Sequence, residues 1–372
     1  MNMIQLLRKL LFKILNLSFE KNEIDLIVNT DVDTLKQNEV LRRINFFLGE
    51  YEYKINIKRL KKIPLLIYKP TIVLGFKETS KHQKLFRGYF YDFDYELNPL
   101  EAWEYHLFLN FLNGKVDFEG YRKKFVIYCE SLKRQNLKKT YIFGTGPSLE
   151  KAIEGTWADG YRIVSNTIVK DRDLWQHINP DIITAGDGIY HFGIGDFAKN
   201  FRRDLKDRLS ETDTIFMYPE MFHKFCLKEF ENYKERLYPI PIHKHTSVHH
   251  NLNLTYSVPK LDNVLPLLLL PVACSLSKNI FLWGFDGRAP TDQDFWKNSN
   301  KQFYQEHVVQ LKKLHPAFYN KQIPTNSEKS YVEKVHGQVL ENVLSNAEKD
   351  GYNFEILHKT FTPVLAKRYK QL

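Results

Sequence analysis

Tyr141-Ile142-Phe143-Gly144-Thr145-Gly146-Pro147-Ser148-Leu149 is the stretch on which the reading of this chain turns. An apolar run of β type stops at a Gly-Thr-Gly bend, and Pro147 and Ser148 stand where a helix begins. Glycines at such a bend let the backbone approach a ligand, and the N–H groups opening a helix form an anion site. Proline is tolerated in a first helical turn because its missing N–H would be unpaired there anyway. The spacing Gly-x-Gly-Pro-Ser is neither the dinucleotide Gly-x-Gly-x-x-Gly nor the P-loop. A nucleotide phosphate or ribose fits Gly144, Thr145, Gly146, Pro147 and Ser148, and so does a turn that merely joins a strand to a helix.

From Lys138 onward, strands alternate with helices, which predicts an α/β domain with a Rossmann-like open parallel sheet. The strand candidates are Thr140–Phe143, Tyr161–Val164, Ile182–Thr184, Thr214–Met217 and Asn279–Trp283. Asn263–Leu276 is apolar nearly all round and reads as a buried helix leading into the last of them. Ligands of open parallel sheets bind beyond the carboxyl ends of the strands. Four polar groups fall there: Gly144–Ser148, Asn166, Asp187, and the run Gly284-Phe285-Asp286-Gly287-Arg288. Each is also what a plain turn demands, but four at equivalent positions point to one nucleotide cleft.

Upstream, residues 20–135 read as a smaller α+β module, with strands at Ile24–Val28, Tyr53–Ile57, Pro64–Tyr68 and Ile72–Phe76, and helices at Leu100–Leu112 and Tyr121–Leu132. Lys54–Lys62 is a basic stretch that suits a solvated surface as well as a phosphate or lipid contact. Residues 1–19 repeat Ile4, Leu7, Leu10, Leu11, Ile14 and Leu15 at helical spacing among Arg8, Lys9 and Lys13. An amphipathic helix lying on an anionic membrane surface and a terminal helix docked on its own domain both fit.

The chain has 372 residues and a formal net charge of +10, which favours anionic partners without choosing among them. No recognised nucleic-acid motif accompanies the charge, so a nucleic-acid role is not expected. Cys129, Cys226 and Cys274 are far apart and form no Cys-x-x-Cys, so a disulfide framework or zinc ribbon is not indicated and reduced cytoplasmic thiols are expected. His243, His245, His249 and His250 cluster without a zinc spacing. Asp171-Arg172-Asp173 and Asp292-Gln293-Asp294 fall at helix starts or in loops, where acidic residues are ordinary dipole partners. No metal or other cofactor is expected. Trp296 and its neighbours Asp292 and Asp294 read as a polar lid.

With these residues in place, the C-terminal part of the chain resembles the bacterial sialyltransferases of lipooligosaccharide synthesis and related surface-polysaccharide proteins. The matching features are Gly144–Leu149, Asn166, the apolar Asn263–Leu276, and Gly284-Phe285-Asp286. His336 follows, with Glu341 five residues later and the strand Phe354–Leu357 after it. The resemblance implies a glycosyltransferase that moves an acidic sugar from a CMP-activated donor to a surface-glycan acceptor, without metal. It makes His336 the general base. It places Arg288 where the family has a tyrosine that steadies the leaving phosphate, Asp187 where it has a second nucleotide-binding Asn, and Asp262-Asn263 where it has Thr-Ser. Gly144–Ser148, Asn166, Asp187, Asn263, Gly284 and Asp286 are then the nucleotide-binding set. The implied location is cytoplasmic, with peripheral attachment to the inner membrane face left open, and the oligomeric state is not fixed.

The residues alone support the same division of labour. Sugar transfer needs a held nucleotide, a stabilised departing phosphate and an acceptor hydroxyl that loses a proton. His336 has the side chain whose ordinary pKa suits the last task, while His315, His243 and Asp187 are the other residues to consider for it. Two alternatives stay open. Pro180-Asp181 and Asp187 have the spacing of a Mg-dependent pyrophosphokinase, and a non-catalytic nucleotide-binding protein of polysaccharide assembly would carry the same turn.

Overall fold

The computed structural model describes residues 23–370 apart from 49–52, 64–69, 77–87, 91–93, 114–115, 244–249, 290–298 and 300. The N-terminal helix, the strand expected at Pro64–Tyr68, His245, His249 and the lid residues Asp292, Asp294 and Trp296 lie outside the described residues. Two compact units divide the chain, Met1–Gly114 and Lys115–Leu372. Among the described residues, no helix is long and apolar enough to cross a membrane.

The first unit is built on β1 (Glu23–Asn29), β2 (Lys54–Leu60), β3 (Thr71–Leu74) and β4 (Gly88–Tyr89), all parallel, in the order β2-β1-β3-β4. Ile24, Leu26, Ile27 and Val28 bury both faces of β1, as a central parallel strand requires. The basic stretch expected at Lys54–Lys62 forms the edge strand β2, where Lys58 reaches Asp25 at 2.7 Å. Charge on an edge strand discourages pairing with another chain, which is the solvated-surface reading of that stretch. Helices Thr34–Leu48 and Glu101–Asn113 are tied by the buried ion pair Arg43–Glu101 at 2.8 Å, and Glu39 meets the same guanidinium at 3.0 Å. Removing one partner would leave a buried charge unmatched.

The second unit holds a seven-stranded parallel sheet. Its strands are β5 (Lys139–Phe143), β6 (Gly160–Ser165), β7 (Ile182–Thr184), β8 (Ile215–Pro219), β9 (Leu237–Ile240), β12 (Asn279–Trp283) and β13 (Asn353–Ile356), in the order β13-β12-β5-β6-β7-β8-β9. Two short strands, β10 (Ile242–His243) and β11 (Val258–Pro259), pair separately on the way from β9 to β12. The Rossmann-like parallel sheet expected from the alternation is present, and the five strand candidates fall within about two residues of the observed ends.

Side chains alternate between the two faces of such a sheet. Ile142, Ile163, Ile182, Ile215, Met217, Ile280 and Leu282 join one core, beneath Phe125, Cys129 and Leu132, the apolar Leu265–Leu276 and Leu340–Ala347. Their neighbours face the other layer: Tyr141 and Phe143 pack on Trp157, and Phe216 stacks with Phe192. Helices on both faces make the fold doubly wound. The helix expected over Asn263–Leu276 winds as a π-helix at Leu265–Leu269 and as an α-helix at Leu270–Cys274. Pro266 and Pro271 within it lack the N–H groups that a regular α-ladder needs. Cys129, Cys226 and Cys274 are free and buried, and burial pushes the Cys129 thiol up to about 12.

One boundary differs from the sequence reading. Helix Phe118–Lys133, placed above in a module ending at 135, belongs to the second unit, because Phe125, Cys129 and Leu132 complete its core. Its spacing showed an apolar stripe without showing which sheet the stripe covers. A fragment spanning residues 115–372 should therefore unfold cooperatively by circular dichroism. A fragment starting at residue 138 should be insoluble or molten, since deleting the Phe125 side chain alone is worth about 3–5 kcal/mol.

Candidate functional site

Strands β5 to β9 run outward in one direction, and the chain then crosses back to place β12 on the other side of β5. That reversal opens a crevice at the carboxyl ends of β5 and β12, where open parallel sheets bind ligands. Gly144–Ser148 leaves β5 there and Gly284–Arg288 leaves β12. The two turns are packed against each other. Gly144 N–H donates to the Trp283 carbonyl at 2.8 Å, and Gly146 N–H to the Gly284 carbonyl at 2.9 Å. A Cβ on Gly144 would lie 2.6 Å from the Gly284 oxygen, and one on Gly284, whose φ is +80°, would strike Gly144. These glycines admit a neighbouring turn.

The anion site expected at the first helical turn is occupied by the protein itself. Asp286 accepts from Ser148 N–H through both carboxylate oxygens, at 3.1 and 3.2 Å, and from the Ser148 hydroxyl at 2.9 Å. The segment that follows, Pro147–Glu154, is a 3₁₀-helix. Thr145 takes part through its carbonyl, which accepts from Ser299 N–H at 2.8 Å. His358, directly after β13, completes the lock. Gly284 N–H donates to its Nε2 at 3.0 Å, so Nδ1 carries the proton and donates to the Lys359 carbonyl at 2.8 Å. His358 was missed in the sequence, although the rule that picked out Asn166 and Asp187, a polar residue just past a strand, selects it too.

Asn166 opens the turn after β6 with φ at 52°, a left-handed conformation that Asn tolerates better than most residues. Asp187 follows β7. Its Oδ1 accepts from Ile189 and Tyr190 N–H at 2.7 and 2.8 Å, so it shapes its own turn. Burial raises its pKa, while those N–H bonds and His315 pull the other way. Asp181 stands at the amino end of β7, engaged by Arg162 at 2.8–3.3 Å. The three-residue strand β7, about 10 Å long at 3.3 Å per residue, lies between Asp181 at its amino end and Asp187 beyond its carboxyl end, so the two do not form the metal-holding pair that the pyrophosphokinase alternative needs.

The helices that lead into β12 and β13 run back across the sheet, so their beginnings overhang the same carboxyl face. Asn263 begins one, and its Oδ1 accepts from Leu265 N–H at 2.9 Å. Its Nδ2 reaches Nδ1 of His336 at 2.9 Å, and His336 sits in the π-helical turn Glu333–Val339. Burial pushes the His336 pKa down to about 4. Arg288 donates to the Ser327 carbonyl at 2.8 Å, linking the β12 turn to the start of that helical stretch. Glu341 is bound by Arg368 at 3.1 Å and has a structural role. His250 pairs with Asp350 at 2.9 Å, near the amino end of β13 and away from the crevice. Gly144–Ser148, Gly284, Asp286 and His358 are thus joined in one network, and Asn263 and His336 in another. Asn166, Asp187 and Arg288 stand at the carboxyl ends of β6, β7 and β12.

No protein-family model matches the chain, and no curated protein matches it. Among solved structures, it is similar to the sialyltransferase CstII from Campylobacter jejuni in complex with cytidine-5'-monophosphate, at 14% identity over 61% of this chain and 86% of that one, with a TM-score of 0.32. CstII in complex with CMP-3FNeuAc gives 14% identity, 63% and 90% coverage and a TM-score of 0.31. The monofunctional α-2,3-sialyltransferase Cst-I from the same organism gives 15%, 63%, 80% and 0.35. Likeness at this level adds nothing to the fold described above and assigns no role to any residue of this chain.

Two outcomes follow from this packing. Gly284→Ala should lose about 3 kcal/mol or more in urea unfolding, since it forces both a left-handed alanine and a backbone collision. Gly337→Ala, with nothing nearer than 4.0 Å, should stabilise by about 0.5–1 kcal/mol as a helical position. The buried histidines set a pH dependence. His191, His223 and His336 are pushed down by burial to about 3, 4 and 4, so the unfolded chain binds more protons than the native one below the ordinary histidine pKa. Their contribution is complete above about pH 6.5 and should be lost progressively as pH falls toward 4, read as a falling melting temperature.

Proposed function

We propose that this protein is a glycosyltransferase that moves an acidic sugar from a CMP-activated donor to a surface-glycan acceptor, without a metal ion. The observation that carries the reading is the Gly-x-Gly-Pro-Ser turn at the point where the strand order reverses, with Asp286 locked against it. In this reading Gly144–Ser148, Asn166 and Gly284 border the nucleotide. Asp286 already occupies the Ser148 N–H, so the crevice offers a carboxylate oxygen to a ribose hydroxyl in preference to a bare phosphate site. Asn166 presents an amide, able both to donate and to accept, toward base or ribose.

The reaction breaks the bond between the sugar's anomeric carbon and the phosphate oxygen, and the electron pair leaves with CMP. A bond forms from the acceptor oxygen to that carbon, and the acceptor's O–H proton passes to a base. Arg288 would neutralise charge on the departing phosphate through charge-assisted hydrogen bonds, which a guanidinium makes well. The proton acceptor is His336 by the family resemblance. Asp187, a carboxylate whose burial raises its pKa, stands with His315 and His243 as the other residues to test for that task.

Thermal-shift measurements test the donor. CMP should raise the melting temperature without Mg²⁺, and stabilisation only by ATP with Mg²⁺ would sink the transferase reading in favour of the kinase one. Asn166→Ala should weaken CMP binding by about 1–3 kcal/mol. Arg288→Ala should lower both CMP affinity and turnover with a CMP-sugar, because the phosphate charge is present before and during transfer.

A further inference from the structure

We propose that Asp187 and Tyr319 together read a hydroxyl group of the bound substrate, with Asp187 Oδ2 accepting from that hydroxyl and the Tyr319 hydroxyl donating to it. Tyr319 is thereby a further specificity-determining residue at the carboxyl end of β7. That the hydroxyl belongs to a CMP-activated donor rests on the transferase reading, whereas the pairing of the two residues does not.

Tyr190 ties the two together. Its backbone N–H donates to Asp187 Oδ1 at 2.8 Å, and its hydroxyl lies 2.9 Å from that of Tyr319. Its ring packs among Phe197, Phe303 and Phe318, which holds both contacts in place. Asp187 is fixed from a second direction, since its own N–H donates to His191 Nδ1 at 3.0 Å. Tyr319 lies in the π-helical turn Phe318–Gln322, and its N–H reaches the His315 carbonyl at 3.2 Å. Asp187 and Tyr319 are both half-buried. Oδ1 serves the N–H groups of Ile189 and Tyr190, and Oδ2 accepts no hydrogen bond among the described residues. Strand β7 pairs with β6, whose end carries Asn166, and neighbouring strands lie about 4.8 Å apart, so one ligand can span both ends.

The Tyr319 hydroxyl has one proton and two lone pairs. Burial, with the Asp187 charge adding to it, pushes its pKa up to about 12 against the pull of the Tyr190 bond, so the proton is kept. That negative charge also turns the phenolic O–H toward the carboxylate, leaving the Tyr190 hydroxyl to donate into the bond between the two tyrosines. Asp187 and Tyr319 make no hydrogen bond with each other, so a group that satisfies both must accept from a phenol and donate to a carboxylate. A hydroxyl does both. A phosphate or carboxylate oxygen has nothing to donate and meets a like charge, and an ammonium has no lone pair to offer. The resemblance places an Asn at this position, and an amide donates to an anionic oxygen where an ionised carboxylate cannot. The exchange to Asp187, with a phenol beside it, makes this strand end selective for a neutral hydroxyl.

Calorimetric titration of the full chain with CMP, its 2′-deoxy and 3′-deoxy analogues and a CMP-sugar tests the pair. Tyr319→Phe should bind the ligand whose hydroxyl is read about 10-fold more weakly. If that hydroxyl is on the ribose, CMP shows the loss, and one deoxy analogue binds parent and variant alike. A loss confined to the CMP-sugar assigns the hydroxyl to the transferred sugar. Asp187→Asn should cost a similar factor, and the double variant no more than the larger single loss, because one hydroxyl serves both residues. Additive losses, unchanged affinity for every ligand, or an equal loss for CMP and both analogues each overturn the proposal. Tyr190→Phe controls for packing, since it breaks the same tyrosine pair and keeps the Tyr319 hydroxyl. It should cost at most about 3-fold, and a loss as large as that of Tyr319→Phe overturns the proposal too. If the CMP ligands fail to bind the parent, AMP, GMP and UMP with their deoxy analogues take their place. The same signature with one of them leaves the pair standing and sinks the transferase reading, and binding of none sinks both.

Discussion

The carboxylate of Asp286 on the backbone N–H and hydroxyl of Ser148 is the contact on which the carboxyl face of the sheet depends. It joins residues 138 positions apart in sequence, one turn from each side of the strand reversal. A negative group beside the first N–H groups of a helical segment is favourable for the same reason that a phosphate would be. The glycines serve this contact, since a side chain on Gly144, Gly146 or Gly284 would force the two turns apart. His358 and Thr360 add a third turn, with the Thr360 hydroxyl donating to the Phe285 carbonyl at 2.7 Å. Three successive strand ends are thereby fixed as one surface.

That rigidity constrains the chemistry. A loop fixed to a scaffold can place a catalytic or binding group with little entropic cost when a ligand arrives. Asn166 is held by its backbone in a left-handed conformation, Asp187 by the two N–H groups of its own turn, Arg288 by a carbonyl, and His336 by Asn263. Each polar side chain is thus held in one orientation by the protein itself. The 2.9 Å contact between Asn263 Nδ2 and His336 Nδ1 ties the orientation of that ring to a second helix.

The sequence settled much of this unit. Apolar strands at regular spacing, each ending in Asn, Asp or Gly, were sufficient to predict the parallel sheet and the end of it that matters, because period-two burial and turn chemistry are local properties. Asn166, Asp187, Asp286 and Arg288 were found by that rule alone. Strand β9 escaped it, and His358 was passed over although the rule selects it. Leu237–Ile240 is short and contains Pro239, and His358 follows a strand whose end was noted only for its spacing from His336. The partition of helix Phe118–Lys133 was also out of reach, since an apolar stripe does not name the surface it will cover.

What the sequence determined by itself, then, is the class of fold and the set of residues at the strand ends, because both follow from the periodicity and backbone preferences of short segments. Only the tertiary structure decided what those residues touch. Gly-x-Gly-Pro-Ser reads locally as an empty anion cradle, and Asp286, from the turn after the adjacent strand β12, fills it. His336 reads locally as a lone residue on its helix, and the amide of Asn263 from another helix holds its ring at 2.9 Å. In both cases the deciding atom comes from a segment distant along the chain, and the direction of a hydrogen bond is a property of the pair.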